Sequence, residues 1–256
     1  MRRPVFVEGA LLFWVWNEEF HRPTVDIDLL GYGANDIDTL TGVFKDVCEI
    51  ESNDGLKFDL DSIQAIEIKE GAKYEGVRVT GFAYLTKAKI RFQIDVGFGD
   101  IVTMTPELAT IPSFLGLPEP QIRVYPVYTV IAEKFQAMVE LDLANSRIKD
   151  FYDIWIIANR MKLEGLILQE AVKATFEQRQ TQLADLFLTT FSDKFKRDAN
   201  KEMQWKAFLN KNRLESHLSF YDLMGEIESF LLLVSEVCAQ ERRLEKQWSA
   251  SDWQWK

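Results

Sequence analysis

The apolar period of this sequence changes once along its length, and that change limits the folds open to it. Ahead of residue 105 the apolar residues come in short runs at 25–30, 63–68, 76–80 and 90–96. The last reads I-R-F-Q-I-D-V, with Ile90, Phe92, Ile94 and Val96 on one face and Arg91, Gln93 and Asp95 on the other. Strict alternation of this kind makes a half-buried strand, because successive side chains point to opposite sides of a sheet. A helical stretch over 36–47 lies between the first two runs, and Asp36 or Asp38 can cap it. After residue 126 the apolar residues recur with a helical period. Ile131, Phe135, Met138 and Val139 form one stripe over 128–141, and Phe151, Ile154, Trp155 and Ala158 form another over 150–161. The pattern predicts further helices near 164–190, 199–211 and 218–247. Between the two regimes, 105–126 holds five of the seven prolines and reads as a connector. The chain is therefore expected to be α/β (α+β), with a strand-bearing part over 1–115 and a helical domain over 116–256.

Composition excludes several alternatives. With 47% hydrophobic residues and 32 aromatic side chains among 256, the chain can bury a core and is not disordered. The longest apolar runs, 9–16 and 230–234, fall short of the roughly 20 residues needed to cross a bilayer. No cationic-then-apolar leader opens the sequence, so a cytoplasmic protein is expected. Cys48 and Cys238 lack any CxxC spacing and read as buried free thiols. The net charge of -10 argues against a broad nucleic-acid coat, since phosphate neutralisation needs Lys and Arg. The surplus is local, however: residues 1–120 hold 11 basic and 20 acidic side chains, and the remainder hold 19 and 20.

Three groups of residues can carry chemistry. Asp26 and Asp28 stand two apart on a predicted strand, so both carboxylates share one face. Paired carboxylates repel, and a divalent cation relieves this while leaving positions for substrate phosphates. Taken alone, D-x-D fits equally an edge strand with solvated acids. Asp95 lies on the polar face of its own strand, and that face either points to solvent or lines the same site. Gly9 follows the apolar run 5–7 and precedes another over 10–16, an arrangement that presents backbone N–H groups to a phosphate. Farther along, Lys134, Arg147 and Lys149 could meet negative charge, and Asp150 and Asp153 share a helix face. No GxxxxGK[ST] or complete dinucleotide fingerprint occurs.

The motifs H-R-P-T-V-D-I-D-L-L-G, I-D-V-G-F-G-D, A-E-K-F-Q-A-M and R-I-K-D-F-Y-D-I-W occur in that order between residues 21 and 155. Together the chain resembles the AbiEii/AbiGii-type nucleotidyltransferase toxins of type IV toxin–antitoxin and abortive-infection systems. The resemblance runs from about residue 5 to residue 160. It implies a polymerase-β-like nucleotidyltransferase core with a mixed sheet, followed by a C-terminal helical domain. It also implies an enzyme of the EC 2.7.7 type that uses Mg²⁺ and an NTP. The acceptor would be RNA, the tRNA 3′ end, and the outcome inhibition of growth or of phage propagation. A cognate antitoxin encoded nearby is the implied partner.

Motif by motif, the resemblance assigns Asp26 and Asp28 to the metal ligands and Asp95 to a third carboxylate. Thr24 and Arg22 match the residues ahead of D-x-D. Lys134 matches a lysine expected to touch the triphosphate, and Arg147, Lys149 and Asp150 match the R-x-[KR]-D motif. Gly9 matches a glycine of the phosphate loop, where relatives often read K-G-G-T and this chain has Glu8-Gly9-Ala10-Leu11. An inward-pointing Glu8 would oppose triphosphate binding. Relatives also carry helices ahead of the first strand, which starts here four residues after Met1.

A tract over 193–213 offers acceptor-binding cations (Lys194, Lys196, Arg197, Lys201, Lys206, Lys211 and Arg213) interleaved with Trp205 and Phe208. It reads equally as a solvated helix with a core stripe. Two other readings of function stand beside RNA modification. One is AMP transfer to a protein hydroxyl. The other is a degenerate member that binds without chemistry. Trp248, Trp253 and Trp255 in the tail are expected to pack on the helical domain or at a dimer contact.

Overall fold

A computed structural model of the chain describes residues 5–17, 21–69, 75–99, 102, 105–113, 116–183 and 189–256. It divides into two compact units. The first comprises Met1–Asp100 and Pro106–Tyr125, and the second Ile101–Thr105 and Pro126–Lys256. Its elements in the first unit are β1 (Val5–Glu8), α1 (Leu11–Asn17), β2 (Ile27–Gly31), α2 (Ile37–Glu49), β3 (Leu56–Lys69), β4 (Glu75–Leu85), β5 (Ala88–Phe98), β6 (Glu107–Thr110) and β7 (Gln121–Val124). All its strands join one mixed sheet of order β3-β4-β5-β2-β1-β7-β6. β2 runs parallel to β5 and β1 parallel to β7, while the other neighbours are antiparallel.

Alternation sorts this sheet into two faces. Buried Val77 and Val79 of β4 and Ile63 of β3 meet Leu40 of α2. Phe44 and Cys48 of α2 and Phe92 and Ile94 of β5 pack around them. Asp36 caps α2 by accepting a hydrogen bond from the Thr39 amide at 2.8 Å. The register places Glu8 opposite Asp28, Asp28 opposite Asp95, and Asp95 opposite Arg78. Directly opposed residues on neighbouring strands present their side chains on the same face. One row across β1, β2, β5 and β4 is thus charged from end to end.

The segment 105–126 is not a bare connector, because it holds β6 and β7. The five prolines fall outside both strands, at 106, 112, 118, 120 and 126, so no ladder hydrogen bond is lost to them. The proline density marks the borders of short strands here, and β7 joins the sheet beside β1 through Val7 and Val124.

The second unit contains α3 (Val127–Leu141), α4 (Ile148–Arg160), β8 (Leu163–Glu164), α5 (Gly165–Gln178), α6 (Asp193–Lys196), α7 (Ala199–Asn212), α8 (Phe220–Ala239), β9 (Gln247–Ser249) and β10 (Gln254–Trp255). Ile131, Phe135 and Met138 of α3 and Phe151, Ile154 and Ala158 of α4 are buried. The helix expected over 164–190 stops at Gln178, and 184–188 lie outside the described residues. The helix expected to reach 247 ends at Ala239, and the chain returns as a β9–β10 hairpin beside β8. Buried Trp248 explains this return: its indole N–H donates to the Ala158 carbonyl at 2.8 Å, and its ring lies 4.8 Å from Phe230. Trp255 stacks on the same Phe230, and Trp253 donates to the Ser229 hydroxyl. The tail is a lid on the helical core. Among the described residues, no helix is long and apolar enough to cross a membrane.

Candidate active site

Asp28 stands on β2, which lies between β5 and β1, so it is not on an edge strand. Asp26 sits just ahead of β2 and Asp95 on β5. One carboxylate oxygen from each of these three residues lies within 4.8 Å of the others, and all three side chains are half-buried. Three carboxylates at this separation repel strongly unless cations offset them. An all-oxygen donor set of this kind suits a hard divalent cation such as Mg²⁺.

Neighbouring groups fix the geometry. Thr24 Oγ1 donates to Asp26 Oδ1 at 2.8 Å, which sets the rotamer of that carboxylate. Gly9, in the turn between β1 and α1, has φ +73°. A Cβ built there would lie 2.0 Å from Asp28 Oδ2. Gly9 is therefore required twice, by its left-handed backbone and by the carboxylate that fills the space of a side chain. Glu8 shares the face of Asp28, and its Oε1 lies 3.8 Å from the side-chain position of Gly97. Arg22 is half-buried between α1 and β2, two residues ahead of Thr24. His21 next to it meets the Phe13 ring edge-on at 5.6 Å.

The sequence reading passed over Arg78. Its Nε donates to Asp95 Oδ1 at 2.8 Å and its Nη2 to Oδ2 at 2.7 Å, a bidentate pair. The hydrogen bond to Asp95 pushes the Arg78 pKa further up, and the charges of Asp95, Asp26 and Asp28 add to it against a desolvation cost. The signal lay in G-V-R-V-T, where alternation puts Arg78 on the polar face of its strand.

Lys134, Arg147, Lys149 and Asp150 lie in the second unit. Lys134 Nζ donates to Asp150 Oδ1 at 2.8 Å and lies 2.9 Å from Asp153 Oδ2. Arg147 Nε donates to Asp150 Oδ2 at 2.6 Å. Asp150 and Asp153 are fully buried. Burial alone would push the Asp150 pKa up. The charges of Lys134 and Arg147, the Lys134 hydrogen bond and the more distant Lys149 outweigh it and hold this carboxyl well below the usual range. The start of α4 is fixed from outside the helix. Asn145 Oδ1 accepts from the Arg147 amide, and Lys201 Nζ donates to the Asn145 carbonyl.

That last bond bears on the basic tract. Lys201 is buried, and desolvation lowers its pKa. Lys196 pairs with Glu228, Lys206 with Glu202, and Arg197 lies over the Tyr221 ring. Trp205 is buried and donates its indole N–H to the Leu218 carbonyl. Within this tract the core stripe describes Trp205 and Lys201, while Lys194, Lys211 and Arg213 stay exposed.

A family model described as nucleotidyl transferase AbiEii toxin, type IV toxin–antitoxin system, matches residues 4–226. No curated protein sequence matches. The crystal structure of JHP933 from Helicobacter pylori is 11% identical, with a TM-score of 0.48 over 93% of this chain and 84% of that one. A second Helicobacter pylori structure, carrying a provisional nucleotidyltransferase name, is 13% identical with a TM-score of 0.44 over 93% and 87%. The family match spans both the acidic triad and the Lys134–Asp150 cluster, and by it this chain belongs to the AbiEii nucleotidyltransferase toxins of type IV toxin–antitoxin systems.

Proposed function

We propose that the protein transfers a nucleotide from an NTP to the 3′ end of a tRNA in the cytoplasm, with Mg²⁺ held by Asp26, Asp28 and Asp95. The convergence of these three carboxylates on one sheet face carries the reading. A bound Mg²⁺ would offset charge on the triphosphate oxygens as pyrophosphate leaves. Thr24 orients Asp26, and Gly9 gives the Asp28 carboxylate its room. Asp95 helps to activate the attacking hydroxyl, as a metal ligand or as a general base. Arg22, Lys134, Arg147 and Lys149 supply positive charge for triphosphate or acceptor, and Asp150 holds Lys134 and Arg147 in place. In this reading the chain divides functionally into a transferase core over 1–115 and a helical domain over 116–256. An antitoxin is the partner that the family implies. The transfer inhibits growth or phage propagation.

The test is incubation of the protein with each α-³²P-labelled NTP and total tRNA. Label should enter tRNA with one NTP and fail to do so with Asp26→Ala. Label entering protein instead would favour AMP transfer to a hydroxyl. Toxicity that survives Asp26→Ala would refute a transferase mechanism.

A further inference from the structure

Arg78 has a position that the proposed reaction does not use. Its guanidinium takes both oxygens of Asp95 in a two-bond fork. Asp95 is also one of the three residues whose oxygens converge within 4.8 Å. The two arrangements compete. A divalent ion seated among Asp26, Asp28 and Asp95 would stand beside a fixed positive charge, and like charges a few ångströms apart are costly in a half-buried site. The fork can open, because the Arg78 side chain is 36% exposed against 16% for Asp95. Gln93 Nε2 lies 3.5 Å from Asp95 Oδ2, too long to replace Arg78.

We propose that Arg78 is a resident counter-cation of the triad: a positioning residue that holds Asp95 and competes with the divalent ion for it. It keeps the three carboxylates together when no metal is bound, and it lowers the affinity of the face for a lone cation. The inference rests on the metal-binding reading of the triad given above. It differs from a structural role in sign, since damage to the fold would weaken cation binding whereas loss of the competitor strengthens it.

The experiment is Mn²⁺ titration of the full chain by calorimetry, without nucleotide, for the wild type, Arg78→Gln, Arg78→Lys and Asp28→Asn. Arg78→Gln should bind Mn²⁺ about five-fold tighter or more. Arg78→Lys keeps the charge and should stay near the wild type, while Asp28→Asn should bind more weakly. Equal or weaker binding by folded Arg78→Gln overturns the inference and leaves the metal reading intact. Identical binding by the wild type and Asp28→Asn overturns both, because the ion is then not at the triad. If Arg78→Gln does not fold, the Arg78 ¹⁵Nε resonance of the wild type decides. A shift as Mg²⁺ saturates the site supports an opening fork, and an unchanged resonance at saturation overturns it.

Discussion

Replacing Gly9 with Ala should cost more than a glycine in a turn ordinarily does, and the excess should vanish when Asp28 is shortened. Gly9 has φ +73°, and an L-residue held in that region costs about 1–2 kcal/mol. A Cβ at this position would stand 2.0 Å from Asp28 Oδ2, where ordinary contact begins at 3.4 Å. The carboxylate must move by more than an ångström. A side chain driven off its rotamer to that extent costs roughly 0.5–1.5 kcal/mol. The sum for Gly9→Ala is about 1.5–3.5 kcal/mol. Asp28→Ala removes the carboxylate and leaves only the Asp28 Cβ, 3.0 Å from the new methyl. Equilibrium urea unfolding followed by circular dichroism, on the wild type, both single variants and the double variant, measures the coupling. The double variant should lose about 1 kcal/mol less than the sum of the singles. Strict additivity would refute the argument that the Asp28 carboxylate fills the side-chain space of Gly9. The same Gly9→Ala protein should lose nucleotide transfer beyond its loss of stability, since the displaced carboxylate belongs to the triad.

Three other outcomes follow from the second unit and the thiols. Lys134→Met leaves Asp150 and Asp153 buried without the lysine that joins them, and should cost about 3–5 kcal/mol in urea unfolding, compared with well under that for Lys211→Met on the surface. The Asp150 pKa lies below its unfolded value near 3.9. Its contribution to stability is therefore complete above that value and is lost as pH falls through the folded pKa. Thermal melting between pH 5 and pH 2 should show a steeper loss for the wild type than for Asp150→Asn, and parallel curves would refute this. Burial pushes the Cys238 thiol up to about 11, and it also raises that of half-buried Cys48. Iodoacetamide at pH 8 should label the native protein slowly and at Cys48 first, with Cys238 reacting only on unfolding, as peptide mass spectrometry would show.

Local pattern and tertiary arrangement contributed different parts of this picture. The helices α2, α3 and α4 were legible because each has its own apolar stripe, and α2 has its cap in Asp36. Strand β5 was legible from I-R-F-Q-I-D-V. Strands β6 and β7 were not, because four residues each are too short for periodicity to speak against five nearby prolines. The tail tryptophans pack on the helical domain as expected, but nothing local in W-S-A-S-D-W-Q-W-K says that they do so as a hairpin closing over Phe230. At the candidate site, the spacing of Asp26 and Asp28 put both on one strand, but β2 begins at Ile27, and Asp26 reaches the triad from the segment ahead of it. Arg78 could not be matched to Asp95, which lies 17 residues away, without the β4–β5 register.

By itself the sequence determined the change of period, the strand-bearing and helical parts in that order, the acids of D-x-D and the four ordered motifs of its family. Those are properties of neighbours along the chain, and backbone geometry turns them into faces. Only the tertiary structure decided that β5 lies beside β2, so that Asp95 meets Asp28, and that β4 lies beside β5, so that Arg78 takes both oxygens of Asp95. It also decided that Lys201 is spent on the Asn145 carbonyl and is not offered to an acceptor. Which charges neutralise one another depends on distances across strands and between helices, and these are fixed by register and packing, which no single stretch of chain contains.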